Sequence, residues 1–320
     1  MASIDIFNGD ADGICALTQL RLSQPKDSQL VTGVKRDIAL VAQAEYGDAD
    51  DITVLDISFD KNRDGVSKAL EAGANILYFD HHFAGDIPAH ASLETHINTA
   101  SDTCTSMLVN EYLKGAFRAW AVVGAFGDNL AKSANSIAKP LALSETELEQ
   151  LEALGTYLNY NGYGASLDDL LFTPSDLYRK VSVYADPLEF IKNDTATFNR
   201  LEQGYQQDMS SAANIAAEYC TNTVAVFRFP DEAWARRVSG VYSNDLANAN
   251  PDRAHAVLTE KAGGTLLVSV RAPLNNKTGA DEICRQFPTG GGRKAAAGIN
   301  DLPAQMLSEF IETMERFYKS

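Results

Sequence analysis

The stretch Phe7-Asn8-Gly9-Asp10-Ala11-Asp12-Gly13 places two carboxylates at i and i+2 directly after a short apolar run, Ile4–Phe7. Asp and Gly are favoured in turns, so alone this segment reads as a surface turn. Two further segments change that reading. Val54-Leu55-Asp56 puts an aspartate at the end of a second apolar run, and Phe79-Asp80-His81-His82 puts an aspartate and two histidines at the end of a third. A fourth segment, Gly127-Asp128-Asn129, puts an aspartate at the end of the apolar run Trp120–Phe126. Adjacent histidines are uncommon in a chain that has five. Carboxylate and imidazole donors without thiolates suit magnesium, manganese and similar ions rather than structural zinc. Two ions held close together need a bridging carboxylate, and Asp56, alone at its strand end, is the candidate.

These residues work together only if their strands end at one edge. The first part of the chain alternates strand-like and helix-like patterns. Ile4–Phe7 is followed by Ile14, Leu17 and Leu20 at helical spacing, then come a strand at Leu30–Val31 and a helix over Ile38–Ala44. Ile52–Leu55 is a strand, a helical stretch runs through Val66 and Leu70, and Ile76–Phe79 is a strand again. This rhythm predicts an α/β fold, with a doubly wound, mostly parallel sheet at the N-terminus. In such sheets ligands bind outside the carboxyl ends of the strands.

Helices are expected over Thr103–Tyr112 and Ala116–Phe126, and a long one over Phe190–Tyr219. Strand patterns resume at Thr223–Phe227. Ala254–Thr259 and Thr265–Val270 flank a hairpin turn at Lys261–Gly264, and a final amphipathic helix runs from about Pro303 to Tyr318. The predicted organisation is a metal-binding domain over 1–186, a helical linker over 187–221, and a smaller α/β domain with a mixed sheet over 222–320.

The composition narrows the function. A net charge of −16 argues against gripping long nucleic acid, which needs a basic surface. From Thr223 onward 12 Lys/Arg face 11 Asp/Glu, and before it 15 face 32, so the acidity lies in the first part. No apolar run reaches membrane-spanning length. The N-terminus does not read as a signal peptide. Four scattered cysteines without a CxxC pair fit a reducing cytoplasm. No GxxxxGK[ST] sequence is present, so nucleotide-triphosphate-driven phosphoryl transfer is not supported.

The four elements resemble the DHH phosphoesterase family, whose triplet stands here as Asp80-His81-His82, with Asn8-x-Asp10-x-Asp12-Gly13, Asp56 and Asp128 in the family's order. The resemblance implies two divalent ions, with manganese expected and magnesium or cobalt as substitutes. One ion would bind Asp10 and Asp56, the other Asp12, Asp56, His81 and Asp128. His82 would face the substrate phosphate, and Asp80 would orient a histidine. Family members usually supply a His or Asp to the first ion where this chain has Asn8, a neutral oxygen donor.

A second match lies near the C-terminus. Gly290-Gly291-Gly292-Arg293-Lys294-Ala295-Ala296-Ala297-Gly298 resembles the glycine-rich motif of the DHH-associated C-terminal domain, with Val268–Arg271 as its upstream strand. Glycine amides can form an anion-binding nest, and Arg271, Arg293 and Lys294 would add charged contacts to phosphate. Many family members have His at the position of Arg293. The implied activity is that of the short-oligonucleotide (nanoRNase, or oligoribonuclease-like) group: a phosphodiesterase cleaving a linear dinucleotide such as pGpG or pApA to mononucleotides. Its substrate would be held partly by the C-terminal domain. A homodimer is one open oligomeric state. Two other readings remain open. One is an exopolyphosphatase, pyrophosphatase or phosphoadenosine-phosphate phosphatase with the same metals; the other is a nucleotide-binding module with little turnover.

Overall fold

Ile4, Ile6, Ile52, Val54, Ile76 and Tyr78 alternate with Asp5, Phe7, Thr53, Leu55, Leu77 and Phe79 along three neighbouring strands, and nearly all are buried. Burial on both faces is the signature of a parallel sheet covered by helices on each side. In the computed structural model, which describes residues 2–319, these strands are β1 (Ser3–Phe7), β3 (Asp51–Leu55) and β4 (Asn75–Asp80). With β2 (Gln29–Thr32) and β5 (Leu93–Ile97) they form a five-stranded, all-parallel sheet in the order β2-β1-β3-β4-β5. The chain leaves β1 toward β2 and returns to the opposite side of β1 at β3. The topological switch point therefore lies between β1 and β3, where the ends carrying Asp10, Asp12 and Asp56 are neighbours.

One face packs Ile4, Ile6, Ile52, Val54, Ile76 and Tyr78 against Phe59, Val66 and Ala69 of α2 (Phe59–Glu71). The other is covered by α1 (Ala11–Ser23), which packs against α3 (Thr105–Tyr112) and α4 (Arg118–Gly127). A buried ion pair joins that helix to the sheet. Arg21 donates Nε to Asp5 Oδ2 at 2.8 Å and Nη2 to Thr53 Oγ1 at 2.8 Å, while Nη2 also meets Asp5 Oδ1. Next come α5 (Ala131–Ala138), α6 (Glu145–Asn161), α7 (Pro174–Val181) and α8 (Pro187–Asn193), and then α9 (Thr195–Ala213).

The chain divides within α9 into two compact units, one ending at Gln203 and the other starting at Gly204. The second unit contains β6 (Tyr219–Cys220), β7 (Val224–Phe229), α10 (Ala233–Ala249), β8 (Ala254–Glu260) and β9 (Thr265–Arg271). It ends with α11 (Ala280–Cys284), β10 (Gly290–Gly292), β11 (Ala296–Pro303) and α12 (Leu307–Tyr318). Its strands form a mixed six-stranded sheet, β10-β11-β9-β8-β7-β6, in which β7 and β8 are parallel and the other pairs antiparallel. The core of this unit joins Val226, Leu258, Val268 and Ile299 to Ile283, Phe310 and Met314. The expected hairpin is β8–β9, closed by Lys261 N–H donating to Thr265 O at 3.0 Å.

Three local expectations differ from the structure. Ile38–Ala44 holds only a single 3₁₀ turn, Val41–Gln43. The Asn62 side chain donates to Ile38 O at 2.7 Å and accepts from Val41 N–H at 3.2 Å, which occupies groups that a helix would use. The stretch from Phe190 to Tyr219 is not one helix. Asp194 accepts from Thr197 N–H at 3.2 Å and so starts a new helix, α9, which ends at Ala213. The edge strand β5, Leu93–Ile97, has no counterpart among the expected elements. No helix among the described residues is long and apolar enough to cross a membrane.

Candidate metal centre

Gly13 occupies its place because of space. A Cβ there would lie 2.2 Å from the Asn8 carbonyl oxygen, so the chain can fold this tightly from β1 into α1 only with glycine. The fold-back makes Asp10 the N-cap of α1, its Oδ1 accepting from Gly13 N–H at 3.1 Å. Asp12, one residue into the helix, reaches the start of α3. Its Oδ2 accepts from Thr105 N–H and its Oδ1 from Ser106 N–H, each at 2.7 Å. Asp56 follows β3 with φ +60°, a left-handed conformation that Asp tolerates better than most residues. Its N–H donates to Phe79 O at 3.0 Å, and its Oδ1 accepts from Thr105 Oγ1 at 3.1 Å.

The histidines divide the work. His81 Nδ1 meets the Thr103 carbonyl at 2.9 Å, which places a proton on Nδ1 and turns Nε2 toward the carboxylates. Nε2 lies 3.4 Å from Asp56 Oδ1 and 3.8 Å from Asp128 Oδ2. Asp128 itself is the C-cap of α4. His82 is held by fully buried Asp80, Nδ1 to Oδ1 at 2.7 Å, and keeps its ring nearly half exposed. Asp80 is fixed in turn by His81 N–H at 2.9 Å and Phe59 N–H at 3.3 Å. Asp56, His81 and His82 each offer a ligand atom within 4.8 Å of the others, so the three can share an ion.

The charges of the cluster favour a cation. Burial, with Asp12 and Asp10 nearby, pushes Asp56 well above the usual carboxylate range. Burial and Asp12 raise Asp128 to about 6. Burial opposes charge on His81, but the hydrogen bond to Asp56 and the charge of Asp12 outweigh it and lift the imidazole to about 10. Without a metal, the centre therefore holds protons at neutral pH that an incoming ion must displace. Manganese affinity should accordingly rise with pH from about 6 to 10. Calorimetry at about pH 7 in buffers of different ionisation enthalpy should show proton release; a pH-independent affinity would mean that His81 and Asp128 are not ligands. Cys15 and Cys104 are buried nearby, and burial reinforced by Asp12 holds both thiols well above their ordinary value, so neither offers a thiolate.

No protein-family model and no curated protein matches the sequence. Solved structures do. The exonuclease RecJ bound to manganese superposes with a TM-score of 0.66 at 14% identity, over 99% of this chain and 90% of that one. The DHH domain of a member of a ribosomal-protein family superposes with a TM-score of 0.62 at 12% identity, over 99% of this chain and 86% of that one. The chain has the DHH fold. The pGpG-specific phosphodiesterase PggH from Vibrio cholerae superposes with a TM-score of 0.59 at 13% identity, over 100% of this chain and 99% of that one.

Within the DHH fold, the donors implied for the second ion come together. His81 Nε2 faces both Asp56 and Asp128, and Asp12 is close enough to raise both carboxyls. The donors implied for the first ion meet differently. Asp10 Oδ2 accepts from Lys35 Nζ at 2.5 Å, and the ammonium also donates to Asn159 Oδ1 at 2.8 Å. Burial would raise Asp10, but the Lys35 charge and hydrogen bond outweigh it and hold its carboxyl below the ordinary value. Asn8 keeps a buried Oδ1 without a hydrogen-bond partner among the described residues. Sequence reasoning missed Lys35, Asn159 and Tyr163, whose ring centroid lies 5.4 Å from the Lys35 ammonium. The available signal was position: Lys35 follows β2, the strand beside β1, as Asp10 follows β1.

In the second unit, Gly290–Gly292 forms the edge strand β10, paired in register with Ala297–Ile299. A Cβ on Gly290 would meet the Cys284 carbonyl oxygen at 1.8 Å, so this glycine serves close packing. Arg293 N–H donates to Ala296 O at 2.9 Å, closing a tight turn on which Arg293 and Lys294 are exposed. Arg271 lies on β9 opposite Ala296. Its guanidinium donates to Asn244 Oδ1 at 2.8 Å and Ser269 Oγ at 3.0 Å, tying the strand to α10.

Proposed function

We propose that the protein is a metal-dependent phosphodiesterase that hydrolyses short linear nucleotides, such as pGpG or pApA, to mononucleotides. The observation that carries this reading is His82. It is a half-exposed imidazole held rigidly by a buried aspartate, beside a carboxylate–imidazole cluster whose charges call for a divalent ion. An ion at Asp12, Asp56, His81 and Asp128 would supply Lewis acidity and make water a nucleophile near neutral pH. Manganese is the ion we expect, with magnesium or cobalt as substitutes. The chain's own residues do the rest. Thr103 O fixes the His81 tautomer, Thr105 holds Asp56, and Asp80 aims His82 at the phosphate oxygens, where charge develops.

A small substrate suits a protein of net charge −16. Arg293 and Lys294, on an exposed turn of the second unit, are the basic groups we assign to substrate binding, with the Gly290–Gly292 strand beside them. Arg271 contributes by holding β9 in place. The likeness to PggH, which is pGpG-specific, favours a dinucleotide over polyphosphate.

The test is a substrate panel with manganese: pGpG, pApA, a longer RNA, cyclic dinucleotides and polyphosphate, with products resolved by chromatography. Mononucleotides from the linear dinucleotides are expected. Phosphate released from polyphosphate, with the dinucleotides intact, would replace the substrate assignment. Turnover of none of them would leave a nucleotide-binding module.

A further inference from the structure

Lys35 is built into its position from both sides. Its N–H donates to Gly162 O at 2.8 Å, and its carbonyl accepts from Asn8 Nδ2 at 3.5 Å. Its ammonium is held between Asp10 Oδ2 and Asn159 Oδ1, with the Tyr163 ring alongside. The space is close: a Cβ on Gly162 would meet Asp10 Cα at 3.0 Å. Asp10 Oδ1 accepts from Gly13 N–H, and Oδ2 already carries a cation, the Lys35 ammonium. A divalent ion at Asp10 would face a fixed ammonium at close range, with only the neutral Asn8 oxygen in place of an anionic or imidazole ligand. Like charges so close in a buried site repel strongly, because little water screens them. With the ammonium in place Asp10 does not fit a metal ion, whereas Asp12, Asp56, His81 and Asp128 carry no fixed cation of that kind.

We infer that the Lys35 ammonium stands in for one of the two metal ions, so that the centre binds a single divalent ion at Asp12, Asp56, His81 and Asp128. The inference rests on the phosphodiesterase reading for its catalytic consequence, but not for its ion count. Two-ion centres place positive charge on both sides of the transferring phosphate. Here Lys35 provides one side as a point charge, which is how lysine binds phosphate elsewhere. Two of its three N–H groups are used by Asp10 and Asn159, and the side chain retains 23% exposure, so the third can reach a substrate oxygen.

The decisive measurement is the ion count of the wild-type protein after equilibrium dialysis against manganese. Mass spectrometry of the metal gives the count, and electron paramagnetic resonance gives the state of the ion. One manganese per chain with the spectrum of an isolated ion is expected. Two per chain with a spin-coupled spectrum would overturn the inference. Lys35→Met should lower pGpG turnover about 100-fold, the usual cost of a lost charge-stabilising donor. Lys35→Arg should recover part of that loss. Unchanged turnover in Lys35→Met would remove Lys35 from the phosphate. The two readings can fail separately. One ion per chain without phosphodiester hydrolysis would sink the proposed function alone, and hydrolysis by a two-ion protein would sink the ion count alone.

Discussion

Asp56→Asn should abolish hydrolysis, by about 1,000-fold or more, and at the same time make the metal-free protein more stable at neutral pH. The activity loss follows from the several kcal/mol that a bound ion contributes to phosphoryl chemistry, at about 1.36 kcal/mol per factor of ten. The gain in stability follows from the site's own charges. Burial and the neighbouring Asp12 and Asp10 hold the Asp56 carboxyl well above its unfolded value. A carboxyl whose folded pKa is raised binds its proton more tightly in the native state. It therefore costs native stability as the pH climbs from the unfolded value through the folded one. Asn removes that charge. It can still accept the Thr105 hydroxyl bond, and it tolerates φ +60° as well as Asp does. Ala would add backbone strain and confuse the result. Thermal unfolding in chelator should show a higher Tm for the variant at about pH 7, with the difference narrowing as the pH falls below the folded value. Turnover within about tenfold of wild type would take Asp56 out of the centre. A lower Tm would mean that its charge is not under strain.

His82→Ala is expected to lower kcat about 100- to 1,000-fold while manganese binding persists. Its imidazole is oriented by Asp80 rather than by the metal cluster, and the side chain stays nearly half exposed. Asp80→Asn should produce a smaller loss, about 10- to 100-fold, because it weakens the orientation and not the contact. His82 also lies within ligand range of Asp56 and His81, which gives the experiment its contrast. If manganese affinity falls as steeply as turnover, His82 is a ligand and the phosphate is stabilised elsewhere. If affinity holds and kcat falls, its role is at the phosphate. Calorimetry and steady-state kinetics on the same preparation separate the two.

Most of the carboxylate–histidine cluster was legible as sequence because its parts are local. Asp10 and Asp12, Asp56, and Asp80 through His82 each sit at or just past the end of an apolar strand, and the parallel rhythm of the first unit brings such ends to one edge. The readings that failed depended on distant partners. The Ile38–Ala44 pattern is helical by periodicity, yet Asn62 on α2 claims its backbone. The Gly290–Gly292 run is loop-like in composition, but pairing with β11 makes it a strand.

The sequence by itself determined the strand-end placement of the aspartates and histidines, the α/β class, and the absence of any CxxC pair, because these follow from periodicity and residue type within short windows. Only the tertiary structure decided which charges share the space. Asp12 is satisfied by amides 93 and 94 residues away, and the Lys35 ammonium is held by Asn159 across 124 residues. No local pattern encodes such pairings. They arise where the packing of α3 and α6 brings polar groups together out of water, where each buried charge needs a partner.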